Sequence, residues 1–430
     1  MVRDNDNLET PHSRRYLIYL TGIALAGWAL ASYDFNIFTS TLPLMQKSLH
    51  FSTAEAGSLA GIIYLGMFVM VLIYGPLIDK YGRKLMFQLT LLIAAITTGF
   101  TSLVVNFAQL AGLRFVADGS SFGELPTGLT LITEESPPKY RGILYGFVQG
   151  GWPLGVFITT GLFLALVGPI GWRGLYVLGV IPLVAVLIGR RWVKESPRYI
   201  SMKRALAGSK DEKYKVNTEK AKHFTYRQLF EKDLIRQTLA LNSAWMLYTF
   251  SFVTTNIVIT AIMVSYYGIT AIQAASILFI SSGIGYFAYP LAGWYGGIIG
   301  RRNAWVISAI AMPILAIIFL MVAKQGNYYS ILLPYIPLYF FSNGTFASPG
   351  FMYVAESFPT RVRGGATSFS MALIAASYAI GGFLFDGVLS TSHSYPVTWI
   401  VLAVILPFGA LTMILGKNVK PTQEVETIST

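Results

Sequence analysis

Long apolar runs separated by short polar punctuation organise the chain. The runs lie near residues 16–42, 56–77, 85–105, 107–131, 143–167, 172–193, 238–264, 271–294, 303–323, 328–352, 365–389 and 396–416. Each holds about 20 mostly apolar residues, enough for a helix to cross roughly 30 Å of hydrocarbon. A helix is required there because only internal hydrogen bonds can satisfy the backbone in lipid. The pattern predicts an all-α membrane protein with twelve transmembrane helices. One long polar connection, 194–237, leaves six runs before it and six after it. It defines an N-terminal half (1–193), a linker (194–237) and a C-terminal half (238–430). Within the linker, Phe224, Leu229, Phe230, Leu234 and Ile235 recur at roughly helical spacing, which predicts an amphipathic surface helix. Residues 200–222 read as a solvated basic connector.

Composition sharpens this picture. Charged residues make up 12% of the chain and hydrophobic ones 54%, against roughly 25% charged in soluble domains, so a soluble protein is excluded. There is no cysteine, hence no disulfide, thiolate metal site or cysteine nucleophile. The four histidines lie far apart in sequence, and no metal or cofactor is expected. The net charge of +12 sits in loops between apolar runs rather than on a nucleic-acid-binding face. With the N-terminus inside, 28 of the 32 Lys and Arg residues fall on one side of the twelve-span topology, which predicts that both termini are cytoplasmic. Residues 1–15 are polar and no cleavage site follows the first run, so that run reads as a span of a multi-pass protein of the plasma or inner membrane. No enzyme constellation is present, and no G-x-x-x-x-G-K-[ST] loop, so the energy source is expected to be a gradient.

The two halves carry internal repeats. GPLIDKYGRK at 75–84 aligns without gaps to GWYGGIIGRR at 293–302, and the run from Glu134 to Gly142 aligns to that from Glu356 to Gly364. Each match follows the second or the fourth span of its half. These residues resemble the major facilitator superfamily, whose signature G-x-x-x-D-x-x-G-R-K is met by Gly75, Asp79, Gly82, Arg83 and Lys84. RFVADGSSFGELP at 114–126, GWR at 171–173 and ESPRY at 195–199 extend the resemblance to the branch of sugar porters, organic-ion carriers and nicotinate or organic-acid:proton symporters. It implies two pseudo-symmetric six-helix halves that alternate access to a central site near the midplane. One departure is that Gly297 replaces the Asp79 carboxylate in the second repeat, so any latch built on it is asymmetric.

Ionisable groups inside spans are functional candidates, because each costs about 2.5–3.5 kcal/mol at the bilayer centre. At about 1.5 Å per residue, Asp34 and Arg114 lie at similar depth, roughly 10–12 Å below the outer ends of spans 1 and 4. Proton binding at Asp34 would release Arg114 and change the preferred packing, a means of coupling that makes Asp34, modulated by Arg114, the favoured proton site. ASYD at 31–34 resembles the acidic motif of proton-coupled porters, and Arg114 their span-4 arginine. Asp118, one turn below Arg114, competes for the same cation. Glu124 is a second candidate for proton or substrate duty. Polar and aromatic faces nominate Asn36, Gln149, Trp152, Trp245, Tyr248, Asn256, Tyr339 and Asn343, with Phe346, for substrate contact. For gating, the resemblance implies that Asp79 caps span 11. Arg83 and Arg141 with Glu134, and Glu356 with Arg361 and Arg363, are expected to form charge networks on the inner side. The favoured activity is proton-coupled uptake of a small organic acid by a monomer whose partners are solute, protons and lipid bilayer. A sugar porter is the alternative. A drug exporter is less favoured, because only Gly151 and Gly155 of the span-5 G-x-x-x-G-P-x-x-G-G run are present.

Overall fold

The computed structural model describes residues 13–208, 219 and 223–417. Both chain ends, where the cytoplasmic termini were expected, and most of the connector fall outside them. The described residues form twelve helical rods. Span 1 is Arg14–Leu49, span 2 Thr53–Tyr81 and span 3 Arg83–Thr101. Span 4 joins Phe107–Phe122 to Glu124–Glu135. Span 5 joins Pro138–Gln149 to the first part of Gly151–Arg190, and span 6 is the part after Gly171. Span 7 runs through Ile235–Phe252, a π turn at Val253–Ile257 and Ile259–Ser265. Span 8 joins Ala271–Gly285 to Ala288–Ile299, and span 9 is Arg301–Val322. Span 10 runs through Tyr328–Gly344, a π turn at Phe346–Met352 and Tyr353–Ser357. Span 11 is Arg363–Ser392, and span 12 runs from Tyr395 to Leu415.

By length and composition alone, eight helices qualify as membrane-crossing, or nine once the bent pieces of span 7 are joined. The difference from twelve has local causes. Spans 5 and 6 register as one continuous run. Span 4 carries Arg114, Asp118, Glu124, Glu134 and Glu135, and the π turn of span 10 cuts it into short pieces.

Side chains set where several rods begin. Ser52 with Glu55 and Thr270 with Gln273 form capping boxes at the starts of spans 2 and 8, the same place in each half. Between spans 2 and 3 and between spans 8 and 9 the chain turns at Gly82 (φ 106°) and Gly300 (φ 92°), a conformation that strains any residue with a Cβ. The sequence repeat is therefore also a backbone repeat. The two halves meet where span 2 packs on span 11 and span 5 on span 8.

The linker departs from expectation. Instead of a bare connector, Pro197–Leu206 is a helix, started by the Ser196 cap with Pro197 in its first turn. It buries Arg198, Tyr199, Ser201 and Met202. The expected amphipathic helix is a single turn and a half, Thr225–Leu229, and Ile235 already belongs to span 7.

Candidate functional site

A cavity of about 490 Å³ lies between the halves. Its exposed rim, with Thr39 and Val264, lies at the end of the bundle remote from the linker. Halfway down, the walls carry Asn36 of span 1, Trp152 of span 5, Asn256 of span 7, Tyr339 and Asn343 of span 10, and Tyr378 of span 11. A small recess at the floor adds Trp28, Gln149 and Phe351. Of the eight residues nominated for substrate contact, six border this space.

The polar groups of spans 7 and 10 on the wall are held in one network. Asn343 Nδ2 donates to Asn256 Oδ1 (2.8 Å), Asn256 Nδ2 donates to Ser342 Oγ (3.2 Å), and the Tyr289 hydroxyl donates to Asn343 Oδ1 (3.2 Å). Tyr145 donates to Gln149 Oε1 (3.1 Å), and Trp152 packs its ring 5.3 Å from Trp28 and 5.8 Å from Phe35. Asn256 lies in the π turn of span 7, and the π turn of span 10 begins just beyond Asn343. Such turns recur at functional sites because they break the helix's regular facing. Among the described residues that line the cavity and its floor, none is charged.

Trp245 and Tyr248 do not border the cavity. Trp245 stacks on Phe351 with ring centroids 4.6 Å apart and meets Trp305 edge-on at 4.9 Å. The Tyr248 hydroxyl donates to the Ser342 carbonyl at 2.8 Å. Both are fully buried and act as a backing layer behind the wall. Helical spacing had placed them on the face of Asn256, and that face does reach the cavity at Phe252, but Tyr248 and Trp245 lie one and two turns nearer the linker end on the same helix, below the cavity floor. The side chain of Phe346 lies outside the described residues.

One layer behind the wall, three of the four proposed proton-coupling residues meet. Arg114 Nη1 donates to Asp34 Oδ1 (2.8 Å), and Nη2 donates to Asp118 Oδ1 (2.6 Å) and to the Asp34 carbonyl (3.2 Å). All three side chains are no more than 1% exposed. The guanidinium is flanked by the rings of Phe38 (5.2 Å) and Tyr176 (5.7 Å). Glu124 is not part of this group. It forms a buried ion pair with Arg190 of span 6 and accepts from Thr90 Oγ1 (3.2 Å). Gly27 makes room for the pair, since a Cβ there would collide with both side chains. Arg190 had been counted only among the 28 Lys and Arg residues of the inner side. A lone carboxylate in span 4 was the signal that a cation had to be near.

At the linker end the halves are tied together. The backbone N–H groups of Gly364 and Gly365, in the first turn of span 11, donate to Asp79 Oδ1 (3.0 Å) and Oδ2 (2.8 Å). A Cβ on Gly364 would lie 2.7 Å from that carboxylate, so the close approach needs glycine. Two triads flank this cap. Glu134 Oε1 accepts from Arg83 (3.0 Å) and Arg363 (2.8 Å), and Glu356 accepts from Arg301 (2.9 Å) and Arg141 (3.3 Å). Arg83 also donates to the Thr360 carbonyl (2.9 Å). The triads are related by the sequence repeat. Each glutamate binds one arginine of its own half and one of the other half.

The expected pairings are corrected accordingly: Arg141 binds Glu356 rather than Glu134, and Arg363 binds Glu134 rather than Glu356. The physical reason is that each of these arginines opens the helix following its loop, spans 5 and 11, and those helices pack against the opposite half. Arg361 binds Gln228 and Asp233 of the linker (3.3 Å to Asp233).

The arrangement is a bundle with a polar, aromatic cavity open at one end and cross-half ion pairs at the other, with a buried acid–base cluster alongside. Known proteins are similar to the chain in sequence or in fold. The niacin transporter NiaP of Acinetobacter baylyi is 23% identical over 442 residues, covering 97% of each chain. The cis,cis-muconate transport protein of the same organism is 26% identical over 363 residues, covering 82% of this chain and 84% of that one. The solved structure of the proton:xylose symporter XylE bound to 6-bromo-6-deoxy-D-glucose superposes with a TM-score of 0.76 at 18% identity, covering 96% of this chain and 99% of that one. The sequence profile of the Major Facilitator Superfamily matches residues 24–342 and 241–429. The chain is thus a multi-pass membrane transporter and not an enzyme, and it belongs to the Major Facilitator Superfamily.

Proposed function

We propose that this protein is a secondary active transporter of the cell membrane that takes up a small organic acid together with a proton. The observation that carries the proposal is the pair of carboxylates sharing one buried arginine, one layer behind an aromatic and amide-lined cavity. A flat acid packs its ring on Trp152 and Tyr339, and its oxygens take hydrogen bonds from amide and hydroxyl donors of the wall. Proton binding at the cluster and solute binding in the cavity then precede release of the linker-end ties. The halves, 1–193 and 238–430, rock about the central site and expose the cavity on the other side. The excess of Lys and Arg at the linker end supports a cytoplasmic position for that end and both termini; on this reading the protein works as a monomer and the open cavity faces outward. Relatives named for niacin and for muconate support the solute class.

A sugar is the second reading, favoured by the uncharged wall, whose amides suit hydroxyl groups equally well. Counterflow in proteoliposomes with labelled nicotinate, benzoate, lactate, glucose and xylose separates the two. Exchange of nicotinate or benzoate without glucose or xylose is expected. Exchange of the sugars alone removes the acid reading while leaving the transporter intact.

A further inference from the structure

Arg114 presents one positive charge to two carboxylates, so the cluster carries a net negative charge whenever both are ionised. No cation on the cavity wall among the described residues offsets it. A buried uncompensated charge is the costliest state available, and one proton removes it.

The oxygen atoms say where that proton belongs. Asp34 has a partner at every oxygen: Oδ1 holds Arg114 Nη1 at 2.8 Å, Oδ2 faces Ser121 Oγ at 3.5 Å, and its carbonyl holds Arg114 Nη2 at 3.2 Å. Asp118 has a partner at Oδ1 only. Its Oδ2 is fully buried and meets no hydrogen-bond partner among the described residues. Protonating Asp34 would disturb the bonds that join span 1 to span 4. Protonating Asp118 at Oδ2 disturbs none and turns a bare charge into a dipole.

Access is also on the side of Asp118. The groups that face it are Arg114 and Asp34 within the cluster, Tyr176 of span 6, and Tyr64 of span 2. The Tyr64 ring lies 5.9 Å from that of Tyr378, which borders both the cavity and its floor recess. Tyr64 belongs to the first half and Tyr378 to the second, so this connection spans the interface that opens and closes.

We infer that Asp118 is the group that binds the coupling proton, reached from the cavity past Tyr378 and Tyr64, while Asp34 remains ionised as the permanent partner of Arg114. This rests on the proton-coupled reading above. The step is a simple protonation: a proton from water in the cavity joins Asp118 Oδ2, and the same bond breaks when the cluster faces the other side. The coupling is Coulombic, because an anionic solute in the uncharged cavity is repelled by the ionised cluster and not by the neutral one.

The test is binding of labelled nicotinate to the purified full chain from pH 6 to 8.5, where a carboxylic solute with a pKa near 4 stays ionised. Protons taken up per solute are counted by calorimetry in buffers of different ionisation enthalpy. In the unmodified protein Kd is expected to rise toward the linkage limit of about tenfold per pH unit, with close to one proton taken up. Asp118→Asn should bind with a Kd independent of pH and no proton uptake, whereas Asp34→Glu, which keeps two carboxylates on the one guanidinium, should leave the midpoint of the pH dependence where it was. The opposite pattern overturns the assignment. Should Asp118→Asn fail to fold, Asp118→Glu serves, because it keeps a titrating group there: a shifted midpoint supports the assignment and an unshifted one overturns it. Absence of proton uptake in the unmodified protein, with nicotinate bound, instead refutes the proton-coupled reading itself.

Discussion

Replacing Asp79 by Asn should tilt the protein toward the state that opens at the linker end. In the structure the Asp79 carboxylate accepts two backbone N–H bonds, at 3.0 and 2.8 Å, from the first turn of span 11. Charge-assisted bonds of this kind contribute about 1.5–3 kcal/mol each, and the helix N-terminus adds up to about 2 kcal/mol in partly buried geometry. Asparagine keeps one acceptor oxygen and loses the charge, so the closed linker end should lose about 2 kcal/mol. When the halves part there, Asp79 faces water and the substitution changes little. The difference is a shift of about 30-fold in the equilibrium between the two states.

The chain contains no cysteine, which makes the assay clean. One cysteine would replace Thr130, buried where its hydroxyl meets Thr367 of the other half at 3.5 Å. Another, in a separate protein, would replace Ala261 on the cavity wall. With a bulky maleimide, Asp79→Asn should speed labelling at position 130 by 10-fold or more, toward the estimated shift, and slow it at position 261. Equal rates with and without the substitution, or a change in the opposite direction, would refute the reasoning.

Three further outcomes follow from the same geometry. Glu356→Gln leaves Arg141 and Arg301 buried around a neutral amide, a loss of about 3–5 kcal/mol when one partner of a buried ionic group is removed; a thermal melt should show a clear drop in Tm, and an unchanged Tm contradicts the triad's role. Pro76 has no N–H, so the Leu72 carbonyl lacks its helical partner, and the Tyr226 hydroxyl donates to it at 2.6 Å. Tyr226→Phe should therefore cost about 1 kcal/mol, read as roughly fivefold faster labelling at position 130, and no change would mean that the linker is not a tie. Trp152→Ala should weaken solute binding with little change in Tm, whereas Trp245→Ala should cost about 3–5 kcal/mol of stability through the cavity it leaves. Similar binding defects with unchanged Tm in both would contradict the division between wall and backing layer.

The fold was legible because lipid leaves few options. Apolar runs of span length must be helices, and the repeat of Gly82 in Gly300 marked the second half as a copy of the first. Boundaries moved where polar residues extend a helix beyond the hydrocarbon, as in span 1, which continues past Pro43 to Leu49. The site was legible in part. Asp34, Arg114 and Asp118 were found together because a charge inside a span demands a partner. Arg190 and Arg301 were missed because an arginine at the end of a span looks the same whether it sets topology or turns inward. Trp245 and Tyr248 were misplaced because periodicity identifies a buried face without telling how far along the helix the cavity reaches.

The central claim, that a proton gradient drives accumulation of a small organic acid through this chain, is tested most directly by flux. Proteoliposomes carrying the protein would be given labelled nicotinate or benzoate at equal concentration on both sides, with the exterior acidified at constant membrane potential. Accumulation of one of these acids above equilibrium in the protein-containing vesicles alone, abolished by a protonophore, is the predicted result. Equilibration of both acids without accumulation, or accumulation that the protonophore leaves unchanged, would contradict it.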